Sequence, residues 1–174
     1  MWTKYLTIGV VVLAAACSRE PAQQPPAEPA PTAVVCNDVT PNPVLQVAVQ
    51  EAPPSAAAAA ELRGGRIAPG LYDLASAVRV GAATGWTGTR AVTLRVSETE
   101  DGTLAFDWAS AAADGAVDSW TALLRETPAP ARIEYTCGRV GQVEAAFAVE
   151  AGVLNLRIQD GAGGQLALSF NPRG

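Results

Sequence analysis

The residue types that this chain lacks decide most of the chemistry open to it. It contains no histidine, and its only lysine, Lys4, and only methionine, Met1, lie within the first sixteen residues. Residues 17–174 therefore offer no Ser-His-Asp or Cys-His pair, no Schiff-base or phosphate-loop lysine and no histidine metal site. Carboxylate, tyrosine and arginine chemistry remains. We expect a protein that is not an enzyme and that has no cofactor and no metal.

Two small groups of carboxylates are the candidates for metal or acid–base chemistry. Glu98, Glu100 and Asp101 crowd one predicted hairpin tip, where their oxygens could bind Ca²⁺. Asp114 and Asp118 lie in a predicted loop, and a carboxylate pair of this kind could serve glycoside hydrolysis. No partner pattern accompanies the second pair. We interpret the first group as a solvated turn and the second as structural carboxylates.

Three further charged residues need no functional site to explain them. Glu134, Glu144 and Arg157 fall on the polar faces of predicted neighbouring strands. Cross-strand ion pairing accounts for such residues, and exposed pairs of this kind contribute little to stability.

Trp86 is the candidate contact for a ligand or partner. It lies in a Gly-rich loop, residues 84–89, where an aromatic ring could guard the mouth of a barrel or touch a glycan. The alternative that we favour is that Trp86 folds back over the end of the core. Trp108 and Trp120 fall within strand patterns and are predicted to be core residues.

Alternation of apolar and polar residues dominates the second half of the chain. This period of two is typical of half-buried strands. The regular ranges are 92–97, 104–109, 132–137, 143–150, 154–159 and 166–170, and the less regular ones are 44–50, 71–80 and 120–126. The pattern predicts an all-β fold, a single antiparallel up-and-down barrel of about eight strands, with a β-sandwich as the alternative. The bulk of the inward aromatic residues favours a filled core, with any ligand at one mouth or on the outer surface.

The first seventeen residues resemble the signal of bacterial lipoproteins. Lys4, the apolar run 5–16 and the sequence Leu13-Ala14-Ala15-Ala16-Cys17 carry the resemblance, although Leu13 lies one place earlier than in the usual lipobox. The resemblance implies that 1–16 is a cleaved signal peptide and that Cys17 carries acyl chains such as palmitate, which hold the protein to a membrane.

Ser18 in place of an aspartate implies an outer-membrane address in the cell envelope, facing the periplasm or the cell surface. Two alternatives remain open. One is an uncleaved anchor, although an apolar run of about a dozen residues is shorter than the roughly 20 that a bilayer requires. The other is an ordinary signal peptide with Cys17 as a chance thiol.

Composition divides the remainder of the chain. Residues 17–33 are rich in Pro and Ala and predict a disordered tether, whereas 34–174 has the size of one domain. Residues 53–65 predict either a short helix or a flexible connector. The net charge is −5 and no basic cluster occurs, which argues against nucleic-acid binding. We expect a monomer.

The three cysteines of the chain can be given roles once Cys17 is taken to carry lipid. Cys36 and Cys137 are then the only intramolecular pair, and an envelope compartment permits a disulfide between them. Two free buried thiols or an intermolecular bond are the alternatives. A metal site is disfavoured with two thiols and no histidine.

Two family resemblances concern the barrel itself. Gly70-Leu71-Tyr72, within the stretch 64–74, looks like the start of the first barrel strand of uncharacterised lipocalin-like, or calycin-like, bacterial lipoproteins. Tyr135-Thr136-Cys137 is similar to the opening motif of membrane-bound lysozyme inhibitors of the C type, although their downstream Ser-x-Ser-Gly loop has no match here.

The sequence therefore predicts a lipid-anchored envelope lipoprotein with a non-enzymatic binding or structural role. Its expected partners are the membrane, through Cys17, and a small apolar ligand or an envelope protein. Inhibition of a lysozyme-type hydrolase is the alternative function.

Overall fold

The computed structural model describes residues 35–54 and 62–174, and these form an all-β structure of nine strands. The signal peptide, Cys17 and the tether expected at 17–33 lie outside the described residues, as do residues 55–61 of the predicted helix or connector. No helix in the described ranges is long and apolar enough to cross a membrane. The strands are β1 (Val47–Ala52), β2 (Gly70–Gly81), β3 (Thr89–Glu98), β4 (Leu104–Ala112), β5 (Val117–Arg125), β6 (Arg132–Cys137), β7 (Gln142–Glu150), β8 (Val153–Asp160) and β9 (Gly164–Pro172).

Strands β2 to β9 form a closed ring. Each pairs in antiparallel fashion with the next, and β9 pairs back with β2 from Tyr72↔Pro172 to Gly81↔Gly164. The predicted up-and-down barrel is therefore confirmed, and the sandwich alternative is wrong because the ring closes. Closure leaves no unpaired edge between β2 and β9.

Strand β1 departs from the predicted antiparallel pattern. Strands β2 and β3 pair only from Gly70↔Val96 to Asp73↔Thr93. Beyond that point they separate, and β1 fills the gap between them. It pairs in parallel with β2 from Val49↔Ala77 onwards and in antiparallel fashion with the start of β3. A ninth strand is thereby added to the ring as a wedge.

The barrel interior is filled along most of its length. Alternate residues of every strand point inward, and the largest fully buried side chains are Phe106, Trp108, Trp120 and Phe170. Ile67, which is only 2% exposed, covers the core at the end of the barrel where the β3–β4 and β7–β8 turns lie. The structure therefore agrees with the expected filled core.

An N-terminal arm, residues 36–46, crosses the outer surface of the barrel before β1 begins. It starts at a disulfide between Cys36 and Cys137, with the two Cα atoms 5.6 Å apart, which confirms the predicted pair. Asn37 Nδ2 donates to the backbone carbonyls of Trp108 (3.1 Å) and Trp120 (3.0 Å). Asp38 forms an ion pair with Arg95 (2.7 Å), and the backbone amide of Asn42 donates to Thr93 Oγ1 (3.3 Å).

A buried polar cluster joins the arm, two strands and the C-terminus. Asp73 and Thr93 point away from the core, yet they are only 6% and 0% exposed. Thr93 Oγ1 donates to Asp73 Oδ1 (2.7 Å), and Arg173 Nε donates to Asp73 Oδ2 (2.8 Å). Hydrogen bonding from Arg173 holds the pKa of Asp73 below its usual value, although partial burial acts in the opposite direction.

The disulfide closes a loop with a sequence separation of 101 residues. We expect the C36S/C137S double variant to lose about 4–5 kcal/mol of unfolding free energy, because a cross-link of this length restricts the unfolded chain. Urea unfolding measures this loss. Wild-type protein unfolded with a thiol reductant is the control and should match the variant. A difference below about 1 kcal/mol between oxidised wild type and variant would contradict the prediction.

Asp73 should make the fold sensitive to acid. Because its folded-state pKa is lowered, its stabilising effect is complete above the ordinary carboxyl value of 3.8 and is lost as the pH falls through the folded-state pKa. The D73N variant should lose about 1–3 kcal/mol at neutral pH, since it leaves Arg173 poorly paired. It should also lose less stability than wild type as the pH falls from about 5 to about 2.

The measurement is the unfolding free energy at several pH values. E100Q, which removes an exposed turn carboxylate, is the control and should follow wild type. Parallel pH curves for wild type and D73N would show that Asp73 is not the acid-sensitive group.

Candidate functional site

The end of the barrel opposite Ile67 contains a concave space of about 430 Å³. Loops 82–88, 138–141 and 161–163 contribute to its lining. Its volume lies within the range of about 300–1,000 Å³ that small-molecule sites occupy. We call this space the cup; its lining comprises Gly85, Trp86, Arg90, Trp108, Asp118, Trp120, Tyr135, Arg139, Val140, Val143, Ile158, Gln159, Asp160, Gly161 and Leu166.

Two stacked indole rings are central to the lining of the cup. Trp108 of β4 lies directly opposite Trp120 of β5, and their rings are 5.0 Å apart and nearly parallel, at 13°. Phe170 meets Trp108 edge-on at 5.8 Å, and Tyr135 meets Trp120 edge-on at 5.3 Å. Both tryptophans were predicted core residues and are fully buried. Close packing on several sides holds both rings in place.

Trp86 reaches the cup because its loop folds into the barrel. The ring is 6% exposed and lies 5.3 Å from Trp108. The backbone of Ala83 passes so close to Gly164 that a Cβ there would lie 1.9 Å from the Ala83 nitrogen, so only glycine fits. The Gly85 amide also donates to Asp160 Oδ2 (2.7 Å).

The favoured interpretation of Trp86, that it folds back over the core, is therefore confirmed. The ring nevertheless forms one wall of the cup. Trp86 is thus both a packing residue and a lining residue.

Arg139 forms the opposite wall. Its guanidinium lies over the rings of Trp120 (5.8 Å) and Tyr135 (5.7 Å), and Nη2 donates to Asp118 Oδ2 at 2.7 Å. Burial acts to lower the pKa of Arg139, but its interactions with Asp118 and with Tyr135 together outweigh burial, and the net pKa lies above the usual value. Asp118 therefore holds a cationic side chain against the aromatic rings.

Gly138 and the disulfide place Arg139 at the rim. Gly138 has a φ of +79°, and a Cβ there would lie 2.4 Å from the Ser119 carbonyl oxygen and 2.9 Å from Cys36 Sγ. The turn after β6 is therefore pressed against β5 and the arm. Glycine is required for both the backbone angle and the close approach.

Arg90 is the second cation of the cup. It continues the inward phase of Val92 and Leu94 at the start of β3, and its guanidinium carbon lies 5.4 Å from the centre of the Trp86 ring. Within the described part of the chain, its side chain has no hydrogen-bond or ion-pair partner, and its Nε is buried without an acceptor.

The two carboxylates of the cup are both engaged. Asp118 pairs with Arg139, and Asp160 accepts the Gly85 amide. The described lining contains no Ser, Thr, Cys, Lys or His side chain. An arrangement of fixed rings, two cations and engaged carboxylates is suited to holding a ligand.

The predicted carboxylate groups do not form joint sites. Asp101 accepts from Thr99 Oγ1 (2.5 Å) and the Thr103 amide (3.1 Å), so it stabilises the predicted turn. Asp114 accepts the Ala116 amide (3.0 Å) in its own turn, whereas Asp118 belongs to the cup. Among residues 35–54 and 62–174, no group of three or more His, Cys, Asp or Glu residues could hold a metal ion.

Glu134, Glu144 and Arg157 lie on the neighbouring strands β6, β7 and β8, as predicted. Glu134 does make a cross-strand pair, but with Arg125 of β5, at 3.0 Å. The register places Glu144 opposite Arg132 and places Arg157 opposite Ala146. The predicted cross-strand ion pairing is therefore confirmed for Glu134.

Sequence reasoning missed Arg90, Arg139 and Asp160 as lining residues and gave Asp118 no binding role. A signal was present for three of them. Arg90, Asp118 and Asp160 each occupy the next inward position beyond an apolar residue, so they extend the alternation of their strands into the cup. Arg139 carries no such signal because it lies in a turn.

Comparison with known proteins gives no family. No protein-family model matches the chain, and no curated protein matches it. Among solved structures, it is similar to a de novo designed fluorescence-activating β-barrel, with a TM-score of 0.43 and 12% identity, over 62% of this chain and 94% of that chain. This likeness assigns no role to any residue.

Proposed function

We propose that this protein is a non-enzymatic binding module that holds one small ligand in the cup. The observation that carries the proposal is a concave space of about 430 Å³, walled by aromatic rings, at one end of an otherwise filled barrel. Small-molecule sites combine a mainly apolar lining with a few fixed polar groups. In the cup, aromatic and aliphatic side chains share the lining with polar ones, and Arg90 and Arg139 are its cations.

Rigidity supports the same proposal. The indole stack, the inserted loop 82–88 and the disulfide each fix a different part of the lining. A site that is already ordered loses little conformational entropy when a ligand binds. The lining is therefore preorganised for binding.

We further propose that the protein is an envelope lipoprotein anchored through Cys17, with an outer-membrane location. Support comes from the lipobox resemblance and from the pairing of the other two cysteines with each other. Cys36 is bonded beside Gly138 and Arg139, so the preceding chain joins the barrel at the cup end.

Lysozyme inhibition has no comparable support and stays a prediction from sequence. The motif residues behind it have other roles in the barrel, since Tyr135 lines the cup and Cys137 forms the disulfide. Lipocalin-like identity likewise remains a proposal. Gly70 and Tyr72 do lie at the start of β2, the first strand of the closed ring.

Filling the cup should abolish ligand binding. In V143W, an indole would occupy much of the space beside Tyr135, and we expect affinity for an uncharged, polarity-sensitive naphthalene dye to fall at least tenfold. Fluorescence titration measures the affinity, and native mass spectrometry of wild type detects any ligand retained from the cell.

The matched control is V117W, which adds the same ring at a position that is 63% exposed and does not line the cup. It should bind the dye as wild type does. Equal affinities for V143W and V117W would contradict binding in the cup.

Replacing Cys17 should release the protein from membranes. We expect wild type to incorporate labelled palmitate and to sediment with membranes, and C17S to do neither, because stable attachment requires the acyl chains. Labelling and membrane fractionation in the expressing bacterium provide the measurement. A labelled, membrane-bound C17S product would overturn the anchor assignment.

A further inference from the structure

The buried side-chain groups of the described cup lining that lack a hydrogen-bond partner are all donors. Three buried nitrogen atoms on its lining residues lack an acceptor: Nε1 of Trp108, Nε1 of Trp120 and Nε of Arg90. No buried oxygen of a described lining residue lacks a donor. Since buried polar groups in native proteins are normally paired, the lining lacks acceptors.

The charged side chains of the cup also differ in whether a partner of opposite charge lies beside them. Arg139 is neutralised by Asp118, at 2.7 Å, and Asp160 accepts a backbone amide at 2.7 Å. Arg90 has the face of Trp86 as its neighbour but no carboxylate within the described residues. A guanidinium stacked on a ring keeps its in-plane N–H groups available for an anion.

From these observations we propose that the cup binds an apolar monocarboxylate. Its carboxylate pairs with Arg90, and its aromatic or aliphatic body packs against Trp86, Tyr135 and Val143. This inference rests on the proposed binding function and adds the chemical class of the ligand.

A single negative charge fits better than two. Among the described lining residues, the one cation without an ion-pair partner balances a carboxylate, whereas a phosphate monoester would bring excess charge to a site walled by indole rings. Uncompensated charge in such surroundings is strongly disfavoured. A carboxylate also matches the planar fork of a guanidinium.

The test compares acids with their uncharged primary amides, which have nearly the same shape. The pairs are naphthalene-1-acetic acid with its amide and decanoic acid with its amide, titrated calorimetrically into the full chain at neutral pH. A titration into detergent alone is subtracted. We expect at least one acid to bind tenfold or more tightly than its amide, because a hydrogen bond to a charged partner is stronger than one to a neutral partner.

Two arginine variants assign the preference to a residue. R90Q should bring the affinity for the acid to within about twofold of that for the amide. R66Q removes the same charge at an exposed position outside the cup and should keep the wild-type preference. Thermal unfolding verifies that both variants are folded.

A second readout uses wild type alone, so the test does not depend on R90Q folding. In ¹⁵N spectra of the indole groups, the acid should shift the Nε1–H signals of Trp108 and Trp120 more than the amide does. Equal binding of acid and amide, or a preference that survives in R90Q, would overturn the inference.

The two proposals fail in different ways. If acid and amide bind equally and V143W blocks both, binding in the cup stands and the carboxylate preference falls. If neither acids, amides nor the dye bind wild type, the binding function itself falls.

Discussion

Pairing between β9 and β2 is the constraint on which the rest of the molecule depends. It runs from Tyr72↔Pro172 to Gly81↔Gly164 and turns a meander into a ring. Once the ring is closed, each strand has one inward phase, and every second residue must enter the same interior. Large apolar residues occupy most of these positions, and Arg90, Asp118 and Asp160 occupy them at one end. Closure therefore explains both the filled core and the polar lining of the cup, because both occupy inward positions of the strands.

The cup exists because an inserted loop covers only one side of this end of the barrel. Loop 82–88 inserts Trp86 next to Trp108, with Gly164 providing the room for its backbone. On the opposite side, the turn after β6 is held outward against β5 and Cys36, and it carries Arg139 at the rim. The space between Trp86 and Arg139 stays open.

Much of the barrel could be predicted from the sequence because strand alternation is a local signal. The ranges 104–109 and 143–150 predicted β4 and β7 closely, and a disulfide between Cys36 and Cys137 followed once Cys17 was assigned elsewhere. The parallel pairing of β1 with β2 carries no such signal, because it depends on where β2 and β3 separate. The inward fold of the Trp86 loop likewise could not be predicted from a local pattern, since it requires Gly164, which is distant in the sequence. The aromatic base of the cup was predicted as core, whereas its cations became visible only when the strands were placed side by side.

The position of the disulfide has a mechanical consequence. Tension applied to the chain upstream of Cys36 enters the barrel at that residue and passes through a covalent bond into the end of β6. The arm, β1 and their hydrogen bonds lie downstream of this point and carry none of the load. In a reduced molecule the same force would peel the arm from the outer surface, beginning with the contacts of Asn37 and Asp38. In the oxidised barrel, tension applied before Cys36 would therefore not draw β1 out from between β2 and β3.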